Sequence, residues 1–475
     1  MTTTEALFDL TAKIAAKRLA ELPLTDYGNA ERLVHQHAQD LHFAPGIGWL
    51  VWDGRRWARD QDGAAMRRAK ATVRTMREEA AKLGEKGDDL WKHAQRSEAH
   101  ARLGAAIALA ESEEAVLVRA EGLDADPYLL TALNGTVDLR TGELHEHDRG
   151  HLLTKLAPVE YDSHARDERW ERFLGEATAG DIELAEFLQR AAGYTLTGST
   201  EEEVLFLAHG PAATGKSTFL EAFRAAFGDY ATTADFETFL QRQGAGGPRS
   251  GIAQLAGARL VVSIEVDQGR RLAEALVKTI TGGDTVRGSF LYHDSFEFVP
   301  AFKLWLAANH APQVGDVDDA IWRRILRLPF EQPVPPERRD RTLKAHLRQP
   351  SAAVLAWAVQ GCLAWQKRGL DAPDTVQRAT ADLRKEMDPL ADFLEDRCVL
   401  EDGAQVTSAD LWDAYQGWAR NAGERDPLSR QGLVERLKAR SMEQTSPRIK
   451  GRRTRAWSGI ALQGGTPGTG GTGGS

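Results

Sequence analysis

The sequence predicts an α/β fold whose central element is a largely parallel β-sheet. Residues 202–330 alternate short apolar segments with helical segments, which is the pattern of strands joined by crossover helices. A glycine-rich loop, HGPAATGKST, separates one apolar segment from the helical segment that follows it. Two more apolar segments end in polar residues, at Glu265 and at Asn309. Because the carboxyl ends of parallel strands meet at one edge of a sheet, these three features should lie side by side.

The composition indicates an ordered protein of several domains. The chain has 475 residues, of which 42% are hydrophobic and 27% are charged, and a formal net charge of −9. At the usual domain size, this length predicts about two to four domains. No apolar run approaches the ~18 residues of a membrane span, and Glu5 and Asp9 do not fit a signal peptide, so we expect a cytoplasmic protein with no membrane partner. The two cysteines, Cys362 and Cys398, provide neither a disulfide framework nor a thiolate zinc site.

Changes of pattern divide the chain into seven segments. In order, they are an amino-terminal helix (1–25), a mainly helical amino-terminal domain (26–165), a helical collar (166–200), the α/β domain (201–345), a helical connection (346–389), a small domain of helices and short strands (390–462) and a flexible Gly-rich tail (463–475). The second segment should contain two hairpins, with turns at Asp53-Gly54 and Thr141-Gly142. The collar should bury an apolar set that comprises Trp170, Phe173, Leu174, Leu184, Phe187 and Leu188.

The glycine-rich loop predicts a phosphate-binding site. It stands between an apolar strand and a helix, which is the order that such loops require; the alternative is a glycine-rich turn without a ligand. Backbone N–H groups of the loop would converge on the phosphates, Lys216 would reach the β and γ oxygens, and the Ser217 hydroxyl would ligate Mg²⁺. The predicted contact residues are Gly210, Pro211, Ala212, Ala213, Thr214, Gly215, Lys216, Ser217 and Thr218. The expected ligands are therefore ATP and Mg²⁺.

Polar residues at the other two strand ends are candidates for catalysis. Glu265 and Asp267 follow the apolar segment ARLVVSI, where a carboxylate can hold the Mg²⁺ shell and polarise the attacking water. Alternatively, both carboxylates simply face solvent. Asn309 follows the apolar segment KLWLAA, and its amide could either orient that water or cap the next turn. We expect Glu265 to be the water-polarising group and Asn309 to assist it.

Two consecutive arginines, Arg323 and Arg324, follow a short helical segment and precede the apolar segment ILRLPF. In a ring-forming ATPase, they are candidates for an arginine finger that completes the site of the neighbouring subunit. Arginines this close to a strand are as often plain surface charge.

With these residues identified, the chain resembles the superfamily 3 helicases of the AAA+ class, in particular the helicase half of phage and plasmid primase-helicases related to the poxvirus primase-helicase. The matching stretches occur in order within about residues 26–389: LNGTVDLRTGEL, YDSHARDERWERFL, GYTLTGSTEEEVLFLAHGPAATGKSTF, KTITGGDTVRG, FEFVPAFKLWLAANHAP and DDAIWRRILRLPF. The resemblance implies an AAA+-type ATPase domain, assembly into a hexamer, ATP hydrolysis, and translocation on single-stranded DNA at a fork in the 3′ to 5′ direction. It also implies that residues 26–165 are the helicase-associated amino-terminal domain.

The resemblance gives several residues a role. Lys216, Ser217 and Glu265 match its two nucleotide motifs, and Asn309 matches its sensor residue. Residues 278–293 match the motif whose hairpin points into the central pore, and Tyr292 and His293 fall near the positions that contact the single strand. His293 could equally be a hairpin-tip histidine in water. The chain departs from the pattern at Thr214, where the family commonly has Asn, and in Ser263-Ile264-Glu265, which lacks adjacent carboxylates and leaves the part of Asp267 in metal binding open.

The carboxyl-terminal domain looks like the winged-helix module that follows the helicase in such proteins. Residues 430–455 contain nine Lys or Arg against two Glu, which is a local reversal of sign in an acidic chain. The predicted DNA contacts are Arg448, Lys450, Arg452, Arg453 and Arg455; the alternative is a solvated basic edge.

The function expected from this resemblance is an ATP-dependent replicative DNA helicase of a phage, plasmid or integrated mobile element, acting in the cytoplasm of a bacterial host. Its partners would be single-stranded and forked DNA, further copies of the chain, and a separate primase or initiator. Primase activity is not predicted, because the close Asp pairs at 124 and 126 and at 316 and 318 lie in apparent loops rather than between strands. The alternative is an origin-binding ATPase that uses ATP as an assembly switch. A small-molecule P-loop kinase is disfavoured by the TGGDT segment.

Overall fold

The computed structural model describes residues 21–241, 250–264, 271–289, 295–314, 319–388, 390–422, 427–440, 442–449 and 452–463. Residues 1–20 of the expected amino-terminal helix and 464–475 of the expected tail lie outside this part of the chain. The candidate site residues Glu265, Asp267, Tyr292, His293 and Lys450 also lie outside it.

The amino-terminal domain combines helices, which make up most of its regular structure, with two small antiparallel sheets. The helices are α1 (Asp26–His37), α2 (Ala64–Leu83), α3 (Asp88–Ser97) and α4 (His100–Ala110). One sheet contains β1 (Leu41–Ala44), β2 (Gly48–Trp52) and β3 (Trp57–Arg59), and the other contains β4 (Leu129–Ala132), β5 (Gly135–Asp138) and β6 (Glu143–His145). Both expected hairpin turns form, with Gly54 at φ 96° and Gly142 at φ 76°. The predicted hairpins are β2–β3 and β5–β6, whereas β1 and β4, which add one strand to each sheet, escaped prediction because each has only four residues of pattern.

The α/β domain is built on a five-stranded parallel sheet. In chain order its strands are β7 (Leu205–His209), β8 (Ala231–Thr233), β9 (Leu260–Ile264), β12 (Lys303–Ala308) and β13 (Ile325–Pro329). In space they follow the order β13-β7-β12-β9-β8, and all neighbouring pairs are parallel. Every residue of β12 is buried, as expected for a central strand that is covered on both faces. The helices of this domain are α7 (Lys216–Phe227), α8 (Ser250–Ala253), α9 (Glu274–Thr281) and α10 (Asp319–Trp322).

An antiparallel hairpin and two groups of helices complete this region. The hairpin consists of β10 (Val286–Ser289) and β11 (Ser295–Phe298). The collar contains α5 (Glu168–Ala177) and α6 (Ile182–Leu196), and the connection contains α11 (Leu343–Leu347), α12 (Ala352–Arg368) and α13 (Asp374–Glu386). All six apolar collar residues that the sequence predicts to be buried are buried, and they share one hydrophobic cluster with α7 and α12.

The collar helix α6 packs directly on α12 through two glycines. A methyl group added to Gly361 of α12 would lie 1.8 Å from the Gln189 carbonyl oxygen of α6. A methyl group added to Gly193 of α6 would lie 1.9 Å from the Cys362 amide nitrogen of α12. Neither distance is possible for real atoms, so both positions require glycine for this approach of the two backbones.

Gly361→Ala is therefore expected to destabilise the protein by about 1–3 kcal/mol, because overpacking forces the two helices apart. Gly104→Ala is the matched control, since Gly104 also lies in a helix but, apart from that helix's own backbone, no atom of the described residues lies within 4 Å of the added methyl group. A calorimetric scan should show a lower unfolding temperature for the first variant and an equal or higher one for the second. Equal scans would contradict the close helix packing.

The carboxyl-terminal domain has a hydrophobic core of its own, which includes Phe393, Tyr415 and Trp457. Its helices are α14 (Ala391–Arg397), α15 (Ser408–Ala422) and α16 (Arg430–Ala439). Its strands are β14 (Cys398–Thr407), β15 (Glu443–Thr445), β16 (Arg448–Ile449), β17 (Arg452–Arg453) and β18 (Ala456–Leu462). Strands β14, β18 and β15 form one sheet, and β16 and β17 form a separate two-stranded ribbon. Among the helices of the described chain, none is long and apolar enough to cross a membrane.

Candidate active site

The glycine-rich loop lies between β7 and the first turn of α7. Three of its residues have left-handed backbone conformations: Gly210 at φ 149°, Ala213 at φ 64° and Gly215 at φ 94°. A methyl group on Gly210 would lie 1.9 Å from the Phe330 carbonyl oxygen, so this glycine allows the loop to pass close to the end of β13. The Val334 N–H donates to the Ala213 carbonyl at 3.0 Å and so fastens the outer part of the loop. The loop is therefore shaped by contacts on both sides.

Lys216 points back into this loop. Its Nζ donates to the carbonyl oxygens of Gly210 and Pro211, each at 2.7 Å, and lies 3.3 Å from the Thr214 hydroxyl. The residue is only 6% exposed, and burial lowers the pKa of its ammonium group. All three partners are uncharged, so an anionic phosphate would form a stronger, charge-assisted bond with the same group. Ser217, half-buried in the first helical turn, is placed next to it. These residues fit a nucleotide phosphate with its Mg²⁺ ion.

The strand register aligns the other candidates with this loop. His209, the last residue of β7, pairs with Ala308 of β12 on one side and with Pro329 of β13 on the other. Ala307 of β12 pairs in turn with Ile264, the last residue of β9. Asn309, which is exposed, therefore emerges between the glycine-rich loop and the end of the strand that precedes Glu265.

His209 is a residue of this edge that the sequence did not single out. It is half-buried, and its Nδ1 has no hydrogen-bond partner within the described chain. Burial, reinforced by the positive charges of Arg327, Lys216 and His310, lowers the pKa of its imidazole to about 4. The ring is thus neutral near pH 7 and adds no positive charge beside Lys216. From the sequence alone, His209 is predicted only to end an apolar strand.

Two buried cations fix the opposite edge of the same sheet. Arg259, just before β9, donates to the Leu196 carbonyl at 2.8 Å, and Lys303, the first residue of β12, donates to the carbonyls of Thr197 and Ser199. Both residues are buried, and burial lowers the pKa of each. The carbonyls belong to the carboxyl end of α6 and the residues after it, where the helix dipole is negative. This junction therefore anchors the collar to the strands that lead to Glu265 and Asn309.

The structure separates the two consecutive arginines. The Arg323 side chain is exposed at the end of α10. Arg324 is bound within its own chain, because its Nη2 lies 2.6 Å from Glu203 Oε2 and its Nη1 donates to the Ala320 carbonyl at 2.8 Å. Arg323 is therefore the more exposed of the two arginines.

The basic residues of the carboxyl-terminal domain also divide into two groups. Arg448 and Arg453 face each other across the β16–β17 ribbon and are exposed, as is Arg455; Arg452 lies in the same ribbon. The remaining arginines of the basic stretch include two that form ion pairs inside the protein, Arg436 and Arg440, which both contact Asp388 of the connection. The basic count of residues 430–455 thus overstates the positive charge that is exposed, since ion pairs across long sequence distances are invisible in a composition.

The chain is a mixed α/β protein with a parallel sheet. Three protein families match successive parts of it. Residues 30–179 match "D5 N terminal like", residues 208–324 match a family of unknown function (DUF5906), and residues 385–457 match "Poxvirus D5 protein-like". The resemblance to the helicase half of primase-helicases related to the poxvirus protein is therefore confirmed.

Curated relatives come from large DNA viruses. The chain is 25% identical over 324 residues to "Putative helicase L207/L206" of Acanthamoeba polyphaga mimivirus, which covers 63% of this chain and 34% of that protein. It is 27% identical over 254 residues to "Putative helicase 022R" of Frog virus 3 (isolate Goorha), which covers 49% of this chain and 26% of that protein. The chain spans about a quarter to a third of the length of these relatives.

Among solved structures, the chain is similar to "The apo structure of NrS-1 C terminal region (305-718)". The TM-score is 0.41 at 11% identity, and the match covers 67% of this chain and 87% of that one.

Proposed function

We propose that this protein is an ATP-dependent DNA helicase of the AAA+ superfamily 3 type, which assembles into a hexameric ring and moves 3′ to 5′. The observation that carries the proposal is the position of the Lys216 ammonium group, held inside the glycine-rich loop at the carboxyl edge of the parallel sheet. The similarity to viral proteins named as helicases supports DNA as the substrate. We propose a phage, plasmid or integrated element in a bacterial cytoplasm as its setting.

Hydrolysis would use groups from several strand ends. Loop and helix N–H groups from Gly210 to Thr218 would cradle the phosphates, and Lys216 would neutralise the β and γ oxygens. When bound, Mg²⁺ would add positive charge at the same oxygens, with the Ser217 hydroxyl and the Glu265 carboxylate as its holders and Asp267 as a further candidate. Glu265 would accept the proton of the attacking water, and Asn309 would orient that water from the neighbouring strand end.

The site would be completed by the next subunit. Arg323 is exposed on the turn after α10, whereas Arg324 is held by Glu203 in its own subunit. We therefore assign the arginine finger to Arg323. Its guanidinium would stabilise the charge that develops on the γ-phosphate of the neighbouring site.

DNA would contact two places. The β10–β11 hairpin would present Tyr292 and His293 to the single strand, and the carboxyl-terminal domain, as a winged-helix module, would hold duplex through its basic ribbon. Directly opposed like charges destabilise a strand pair. The pairing of Arg448 with Arg453 therefore favours a polyanionic partner for the ribbon.

The decisive experiment measures ATP hydrolysis with and without single-stranded DNA, followed by strand separation on forked substrates with either a 3′ or a 5′ tail. We expect stimulation by DNA and unwinding from the 3′ tail. Stimulation without any unwinding would favour the second candidate, an origin-binding ATPase switch. If DNA does not change the rate of ATP hydrolysis but a small phosphate acceptor does, the protein would be a kinase, and both the helicase and the ATPase switch would be refuted.

Asn309→Ala should leave ATP binding nearly unchanged and slow hydrolysis by about 10- to 100-fold, because an amide that orients the water acts mainly in the transition state. Asn309 is exposed, so its loss should not disturb the core. Binding of a fluorescent nucleotide and steady-state ATPase rates test this pair of effects. An unchanged rate would make Asn309 a turn residue.

Replacing both Arg448 and Arg453 with Gln should weaken duplex binding and flatten its salt dependence. Each phosphate contact contributes a slope of roughly −0.9 to log K against log salt on duplex DNA, so the loss of two contacts should reduce the slope by about 2. Replacement of Lys438, which is exposed on α16, with Gln is the control for a single surface charge. An unaltered slope in the double variant would make the ribbon a protein-binding element instead.

A further inference from the structure

Arg324 lies where three parts of the α/β domain meet. Its side chain contacts α10 through the Ala320 carbonyl and the segment before β7 through Glu203. A methyl group added to Gly282, just after α9, would lie 3.8 Å from Arg324 Nη2 and 3.7 Å from Asp284 Oδ2. The guanidinium therefore also adjoins the turn that leads from α9 into β10.

The partner of Arg324 has an unusual backbone. Glu203 has a left-handed φ of 51°, which residues with a side chain rarely adopt, and its N–H donates to the Thr200 carbonyl at 2.9 Å. The turn that contains Thr200 and Glu203 also approaches Gly283, the residue after Gly282, because a methyl group added to Gly283 would lie 3.2 Å from the Thr200 hydroxyl. Strained residues persist where the surrounding structure requires them. Here the strain places the Glu203 carboxylate at Arg324.

The turn beside Arg324 leads directly to the base of the hairpin. Val286, the first residue of β10, is buried in the cluster that also contains Ile321 and Trp322 of α10. Gly288 of the same strand packs on α8, since an added methyl group would lie 2.9 Å from the Ala253 Cα. The base of the hairpin is therefore seated in the domain, and a shift of the turn would be transmitted along β10.

We propose that Arg324 is a positioning residue that ties the turn bearing Arg323 to the turn 282–285 and so links the neighbouring subunit's nucleotide to the hairpin of its own subunit. This inference rests on the proposed function. Arg323 would sense the neighbouring γ-phosphate, and the ion pair with Glu203 would make the Arg323 turn, the 282–285 turn and β10 move together. Arg324 itself would touch neither nucleotide nor DNA.

The test compares Glu203→Gln with the matched control Glu201→Gln, an exposed residue two positions earlier. The measurements are ATPase rate without DNA, its stimulation by single-stranded DNA, and base pairs separated per ATP hydrolysed. Glu203→Gln should keep the unstimulated rate within about twofold, but lower stimulation and base pairs per ATP by about fivefold or more, the usual size of coupling between sites. Glu201→Gln should match the wild type in all three.

Arg324→Gln and the double variant complete the cycle. Both single changes remove the same contact, so the double variant should separate as many base pairs per ATP as either single variant. Arg324→Lys should restore part of the loss seen in Arg324→Gln. Additive losses, or equal behaviour of Glu203→Gln and Glu201→Gln, would overturn the proposal. If ATP hydrolysis by Arg324→Gln subunits recovers in rings mixed with Lys216→Ala subunits, the proposal is also overturned, because that result places Arg324 in the neighbour's site.

Hydrogen exchange separates a failure of this inference from a failure of the proposed function. Amides of residues 281–289 should exchange faster in Glu203→Gln and Arg324→Gln than in the wild type, whether or not the wild type unwinds DNA. Unchanged exchange in this segment would overturn the link itself. A wild type that lacks DNA-stimulated hydrolysis would instead overturn the function on which the link acts.

Discussion

Lys216→Ala is expected to abolish ATP hydrolysis while the fold stays intact. Within the described part of the chain, the hydrogen-bond partners of the Lys216 ammonium are the Gly210 and Pro211 carbonyls and the Thr214 hydroxyl of its own loop, so its removal should take away no large core contact. In the bound state, it would be the main protein charge on the β and γ oxygens. A single preorganised group of this kind is worth about 10²- to 10³-fold in rate, and the loss should be at least that large here.

The measurement is steady-state hydrolysis with single-stranded DNA present, with a thermal scan to show that the variant is folded. Lys70→Ala serves as the control, because Lys70 is an exposed residue on α2 in the amino-terminal domain. The control should hydrolyse ATP at the wild-type rate. If Lys216→Ala keeps more than a tenth of that rate, the loop is not the catalytic phosphate site.

Arg323→Ala is the second change with a large expected effect. An arginine finger is worth about 10³–10⁵ in rate, so a ring made only of Arg323→Ala subunits should be nearly inactive even though every glycine-rich loop is intact. Because the proposed finger would act on the neighbouring site, activity should return when these subunits are mixed with Lys216→Ala subunits. In rings formed at random from equal amounts, about one interface in four would combine an intact loop with an intact finger.

The mixing experiment distinguishes the two arginines. Arg324→Ala subunits should gain nothing specific from Lys216→Ala partners, since Arg324 is bound to Glu203 within its own chain. Full ATPase activity in a monomeric preparation would contradict action between subunits. No recovery in mixed Arg323→Ala rings, with recovery in mixed Arg324→Ala rings, would reverse the assignment.

The sequence by itself determined several local elements of the chain. The strands at 204–208 and 303–308, the helix after the glycine-rich loop and the hairpin turn at Asp53-Gly54 follow from short-range patterns, and the structure has them at or within a residue of those positions. The buried set of the collar follows from helical periodicity in the same way. Such features depend on neighbours in the chain, which is why they can be predicted without the fold. The roles of Lys216, Glu265 and Asn309 remain predictions.

Only the tertiary structure decided how these elements combine. It placed β12 between β7 and β9, so that Asn309 emerges beside the glycine-rich loop. It paired Arg324, but not the exposed Arg323, with Glu203, a residue 121 positions from Arg324 in the chain. It also directed Arg436 to Asp388 rather than to solvent. Strand order and ion pairs of this kind are set by contacts between residues that are distant in sequence, and no local pattern of a single chain encodes them.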